Sequence, residues 1–188
     1  MYKRQILLSS YSQIDQLQEN SNFKEALKLC EANYDANDVE ILWRMARSYF
    51  DIADQTSDIE IQKENVDRAL PYAKKALELD ALSAKANHWY AVIIGKKGVL
   101  EGTKQKILNS YKVEKYGLKA IELDPNDQDA KINFELLKQI IQQQDQEQQE
   151  QNQQEQEQQE QEQQEQKESD EQKPDQHLQA EAIQNALK

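Results

Sequence analysis

AKKALELDALSAKA (residues 73–86) and GLKAIELDPNDQDA (residues 117–130) are two versions of one pattern. Each reads Lys-Ala-(Leu/Ile)-Glu-Leu-Asp and then turns into a new helix. The small residues Ala76 and Ala120 allow two helices to approach closely. The Asp that follows each block suits a turn, and Pro125 stops the second helix from continuing. Upstream of each block lies a helix with bulky aromatics: Trp43, Tyr49 and Phe50 in one, Trp89 and Tyr90 in the other. Bulky helix, small-residue helix, then an Asp or Pro turn is the sequence of a tetratricopeptide helix pair. The spacing from Ala76 to Ala120 is 44 residues, more than the ~34 usual for that class. The excess predicts longer helices or loops, placed at Gln55–Lys63 and Gly98–Lys106.

The flanking sequence is helical as well. Asn22 with Glu25, and Asn37 with Glu40, read as capping boxes. The first opens a helix with Phe23, Ala26, Leu27, Cys30 and Tyr34. The second opens one with Ile41, Leu42, Met45, Tyr49, Ile52 and Ala53 at spacings of three and four. Ile14 and Leu17 mark a weaker first helix. A run from Ile59 to Leu79 contains Pro71, which predicts a kink or a helix start. Further helices are expected near Ser83–Lys96, Thr103–Leu123 and Asp127–Ile141. The chain has only 4 Gly and 3 Pro, and no useful period-two alternation, so a many-stranded fold is excluded.

Charge divides the chain. Its formal net charge is -12, but residues 142–188 hold 13 acidic and 3 basic side chains, with 20 Gln among 47 positions. That stretch cannot bury a core, and is expected to be either a solvated helix or disordered. Beyond Pro174, residues 177–188 place Leu178, Ala182, Ile183, Ala186 and Leu187 on one helical face. This short amphipathic segment is read as a frayed end, or as one that docks on the repeats or a partner. The expected organisation is an N-terminal extension (1–10), a tetratricopeptide-like domain (11–141), a Gln/Glu-rich segment (142–176) and the amphipathic end (177–188). The fold class is all-α: a solenoid of helical hairpins with an acidic C-terminal extension.

The residue patterns with family character are Val39–Arg47 (VEILWRMAR), Tyr72–Leu77 (YAKKAL), Trp89–Ala91 (WYA), Glu101–Ile107 (EGTKQKI) and Ala120–Pro125 (AIELDP). In this order and spacing the chain resembles the regulator of microtubule dynamics family from about Tyr11 to Ala130. The resemblance implies a divergent tetratricopeptide domain in a microtubule-associated protein of the cytoplasm, spindle or cilium. It names tubulin or microtubules as partner, with other proteins bound through the concave face of the repeats. One branch of that family is a mitochondrial membrane tether. The family's further helices after the Pro turn and that branch's N-terminal anchor are not matched here.

Candidate contact residues follow from charge. Lys96, Lys97, Lys104, Lys106, Lys112, Lys115 and Lys119 face only Glu101 and Glu114 in the same stretch. Lys112, Lys115 and Lys119 share one helical face, which attracts an acidic filament surface by salt-screened electrostatics; an ordinary solvated face is the other reading. Arg44 and Arg47, three apart on one helical face, are either partner contacts or solvated ion pairs with a nearby carboxylate. Trp43, Trp89 and Tyr90 are read as packing between repeats rather than as a ligand set. No phosphate loop, catalytic triad or metal-ligand spacing is present, so no enzyme activity, cofactor or metal is expected. The acidic total and absent base-stacking motifs disfavour nucleic acid. One cysteine, Cys30, fits a reducing compartment, and no run of ~18 apolar residues exists for a membrane span. Two other functions stay open: a generic adaptor or co-chaperone scaffold, thinly supported by Lys85 and His88, and an organelle tether or lipid-binding protein.

Overall fold

The computed structural model describes residues 2–140, 142, 143, 146 and 153, the side chains of residues 2–8 and of Thr103 aside. The chain divides between Gln142 and Gln143 into two units, and the first of them carries the helical domain. The Gln/Glu-rich segment and the amphipathic end at 177–188 otherwise lie outside the described residues.

Among the described residues the chain is all-helical. Helices α1 (Tyr2–Glu19), α2 (Phe23–Ala32), α3 (Val39–Asp54), α4 (Ile59–Leu79), α5 (Ala84–Glu101) and α6 (Thr103–Leu123) are followed by α7 at residues 128–140. The segment expected as an N-terminal extension is thus the start of α1.

Side-chain caps fix most of the starts. Asp38 accepts from the amides of Glu40 and Ile41 at 2.9 and 3.4 Å. Asp58 accepts from Glu60 and Ile61 at 2.9 and 3.2 Å, Ser83 from Ala86 at 3.2 Å, and Asp127 from Ala130 at 3.2 Å. Each oxygen satisfies amides that have no partner within the helix. Two expected capping boxes are corrected. Asn22 stands at the N-cap of α2 but its side chain makes no cap hydrogen bond. The cap of α3 is Asp38, one residue beyond Asn37. Pro71 neither starts nor ends a helix: it lies inside the continuous α4.

The extra length sits in the helices. α4 and α6 have 21 residues each, and at Gly98–Lys106, where longer helices or a loop were expected, Gly102 alone separates α5 from α6. Its φ of 92° is a left-handed conformation that glycine adopts without strain.

Successive helices pack as antiparallel hairpins. From α5 to α6, Asn109 Nδ2 donates to the Ile94 carbonyl at 2.9 Å, a Cβ on Gly95 would touch Val113, and Tyr116 meets Tyr90 edge-on with centroids 4.9 Å apart. As one helix advances, the other recedes. A Cβ on Gly98 would lie 3.0 Å from the Lys106 backbone, so the two helices touch there almost main chain to main chain. In the α3–α4 hairpin, Tyr49 stacks on Tyr72 at 5.9 Å. Ala76 and Ala120 are buried at 0% and 1% exposure, which is the close approach their size allows. The buried cluster joins Ile14 of α1, Ala26 and Cys30 of α2, and the inner faces of α3, α4 and α5.

The first helices of successive hairpins lie side by side. Phe50 of α3 packs on Trp89 of α5, and His88 of α5 lies 3.0 Å from Asn133 of α7. Trp43 and Trp89 are buried, as packing between helices requires.

Gly117 shows how tightly α7 is seated. A Cβ there would come within 2.8 Å of Phe134 Cε2, and Phe134 is itself buried. We expect Gly117→Leu to destabilise the chain by about 2 kcal/mol through overpacking. Adding Phe134→Ala should return part of that loss, giving a cost below the sum of the two single changes. Additive costs in urea unfolding would mean the two residues do not meet.

Candidate partner-binding surfaces

The nine basic side chains singled out by sequence do not form one patch. Arg44 is buried at 7% exposure. Its Nε and Nη2 donate to the two oxygens of Asp15 at 2.8 and 2.7 Å, and Nη1 donates to Glu40 Oε2 at 2.7 Å and to the Glu40 carbonyl. The guanidinium lies over the rings of Trp43 and Tyr11, at 4.0 and 4.8 Å. Burial works against this charge, but the Asp15 and Glu40 hydrogen bonds prevail and hold its pKa above the ordinary arginine value. Arg47 lies 3.4 Å from Asp51 and 5.5 Å from the Trp89 ring centre. Arg47 thus lies in an ion pair within its own helix, while the pair made by Arg44 is buried and not the solvated one the sequence suggested.

The lysines fall into three groups. Lys96 pairs with Asp54 at 3.1 Å, and Lys97 with Asp67 at 2.5 Å and Glu101 at 2.6 Å, so they tie α5 to α3 and α4. Lys106 is buried and donates to the Ile140 carbonyl at 3.0 Å, tying α6 to α7. Lys104, Lys112 and Lys115 are exposed on the outer face of α6. Lys119 lies beside them, paired with Glu122 at 3.1 Å.

Two features were not anticipated. The first is a groove of about 230 Å³ lined by Phe50, Val92, Lys96, Asn133, Leu136 and Ile140. It runs along α3, α5 and α7. Its signal was available: Phe50, Val92 and Leu136 recur close to the repeat spacing. The second is apolar exposure on α6, where Ile107, Leu108, Tyr111 and Leu118 are all more than half exposed, Tyr111 at 72%. The hint there was a surplus of apolar positions beyond one buried face.

Lys85 and His88, weighed as an adaptor clamp, serve the fold. Lys85 Nζ donates to Asp127 Oδ2 at 2.7 Å. His88 is buried, with Asp127 Oδ2 3.7 Å from its Nδ1. On the other side of the ring, the Asn133 amide nitrogen lies 3.0 Å from His88 Nε2. Among the described residues there is no cluster of three metal-ligating side chains, and no helix long and apolar enough to cross a membrane.

The profile of the family described as "Regulator of microtubule dynamics protein 1-3" matches residues 10–132, more than half of the 188-residue chain. The chain belongs to this family. Regulator of microtubule dynamics protein 1 of Bos taurus is 40% identical over 116 residues, 61% of this chain and 37% of the relative. The Mus musculus protein 1 is 40% identical over 117 residues, 62% of this chain and 38% of the relative. Protein 3 of Mus musculus is 34% identical over 88 residues, 47% of this chain and 19% of the relative. The chain therefore aligns with less than two fifths of the length of these relatives. The region shared with the family contains all nine basic residues and both unanticipated surfaces, except for the part of the groove on α7 beyond residue 132.

Proposed function

We propose that this chain is a non-enzymatic, microtubule-associated binding module of the cytoplasm, built as a tetratricopeptide-like solenoid over about residues 11–141. The solenoid reading is supported by the contacts between neighbouring hairpins. Asp54–Lys96 and Lys85–Asp127 are each separated by 42 residues, close to the sequence repeat. Contacts from α3 to α5 and from α5 to the cap of α7 at this one spacing are what stacking of repeats would give. The relatives' name supplies the microtubule, and the observation that carries the assignment of the contact is the outer face of α6. Lys104 and Lys112 have no carboxylate partner among the described residues, and Lys115 meets only the Tyr116 ring, at 5.2 Å. A lysine face left without internal pairing suits an acidic filament surface and favours rapid, salt-sensitive encounter.

Co-sedimentation with assembled microtubules tests this. The wild type should pellet at low salt and less at moderate salt. Lys112→Glu, Lys115→Glu and Lys119→Glu together should weaken binding at least about tenfold with unchanged helicity, because Lys112 and Lys115 are exposed, Lys119 is partly exposed in a surface pair with Glu122, and their reversal repels an acidic surface. Wild-type pelleting by this triple variant would remove α6 from the contact. Arg44, Arg47, Lys96, Lys97 and Lys106 are left out of the proposed contact because each is committed within the fold.

The groove along α3, α5 and α7 favours a second reading, an adaptor that takes an apolar peptide on the inner face of its repeats. Leu136→Glu should abolish such binding and leave pelleting intact.

A further inference from the structure

The lysines of α6 flank an apolar stripe that charge alone does not explain. Ile107, Tyr111 and Leu118 lie on one side of the exposed face, at helical spacing, with Lys104, Lys112 and Lys115 along the other. From Ile107 to Leu118 the stripe runs about 16 Å, or three helical turns. Beside it, α6 and α7 leave a cleft of about 330 Å³ lined by Ser110, Tyr111, Val113, Glu114, Phe134 and Lys138.

We infer that this face of α6, with its cleft, is the docking site for an acidic amphipathic helix of a partner protein. The inference rests on the proposed α6 contact and deepens it by naming the chemistry of the partner. Shape and charge both narrow the occupant. A straight stripe next to a cleft accepts a helix laid alongside, with apolar side chains at three- and four-residue spacing. The flanking lysines call for carboxylates on the edge of that helix, since Glu114 and Glu122 are the carboxylates α6 itself supplies. A second copy of the same face is disfavoured, because a two-fold pairing sets the lysine rows against each other. A polyanion without apolar residues would leave Ile107, Tyr111 and Leu118 in water and forgo the hydrophobic gain.

The test uses the full chain and two synthetic peptides of about five helical turns. One has leucines on a single face and glutamates along its flank. The other has the same composition in scrambled order. In a fluorescence titration the amphipathic peptide should bind at least about tenfold tighter than its scramble, a difference of about 1.4 kcal/mol. Tyr111→Ser with Leu118→Ser, both exposed positions, should erase that preference and weaken microtubule pelleting, with helicity unchanged. Lys112→Glu with Lys115→Glu should weaken both peptides. Equal binding of the two peptides would overturn the inference and leave the lysine contact standing. Peptide-induced amide shifts confined to the Phe50–Leu136 groove would also overturn it. So would dimerisation that Tyr111→Ser abolishes when neither peptide binds, which would give the face to a second copy. Loss of microtubule pelleting with the peptide preference intact would instead fault the filament assignment.

Discussion

Arg44→Ala should lower stability by about 3 kcal/mol, the low end of the cost of removing one partner from a buried ion pair. The low end applies because the Asp15 side chain is one third exposed and water recovers part of its solvation. Three losses combine. Asp15 keeps its charge without the paired guanidinium nitrogens at 2.8 and 2.7 Å. Trp43 and Tyr11 lose the cation between their rings. The polar links kept between α1 and α3 include Gln18, which donates to Ser48 Oγ at 2.9 Å, and the Tyr11–Asp38 hydrogen bond, beside the packing of Ile14 in the core. For a chain of this size the melting temperature should drop by roughly 10 °C. Arg44→Met combined with Asp15→Leu should be much closer to wild type, because the one charge then left unpaired, Glu40, is half exposed and solvated, and the volume is refilled. Thermal unfolding followed at the helical circular dichroism band decides it. An unchanged melting temperature together with lost pelleting would return Arg44 to the set of partner contacts.

Arg44 also shows where sequence reading stops. The three- and four-residue spacing of Ile41, Leu42 and Met45 gives α3 directly, since only a helix puts them on one face. The small residues at Ala76 and Ala120 likewise show which sides of α4 and α6 lie against a neighbour. But the carboxylate that holds Arg44 is 29 residues away, and nothing local marks Asp15 as its partner. Lys96 and Lys97 resemble an open patch in the sequence for the same reason: Asp54 and Asp67 reach them only after the hairpins stack. Lys106 is the opposite surprise, a lysine whose long apolar stem is buried while its ammonium finds a main-chain carbonyl. The cap of α3 differs by one position because Asn37 and Asp38 are both competent cap residues, and the choice between them lies in backbone geometry. The face of α6 was legible in its lysines. Its apolar half was not, because an apolar residue on a helix is read as core until a neighbour is found missing.

Two buried titratable groups with opposite linkage should make the response to acid depend on which of them is removed. Burial pushes the His88 pKa down to about 4 from 6.5, the nearby Asp127 only partly opposing it. Burial pushes Asp51 up to about 6 from 3.8, the Arg47 charge only partly opposing it. For His88 the unfolded chain binds the extra proton between those two values, so stability is lost as pH falls below 6.5. For Asp51 the folded chain binds the extra proton between 3.8 and 6, so stability is gained as pH falls through that window. Each effect is worth about 1.4 kcal/mol per pH unit within its window. Between about pH 6.5 and pH 4.5 each group contributes about 2 kcal/mol, with opposite signs, and in the wild type the two largely cancel. Removing one exposes the other. Relative to wild type, Asp51→Asn should lose about 2 kcal/mol more over that range, and His88→Gln should lose about 2 kcal/mol less. Every other carboxylate is common to the three chains and drops out of the differences. Urea unfolding at about pH 6.5, 5.5 and 4.5 should therefore give three curves that fan apart on acidification. Parallel curves would mean that neither group is held in its desolvated state, and that the surroundings of Asp51 on α3 and the α5–α7 contact at His88 are looser than described.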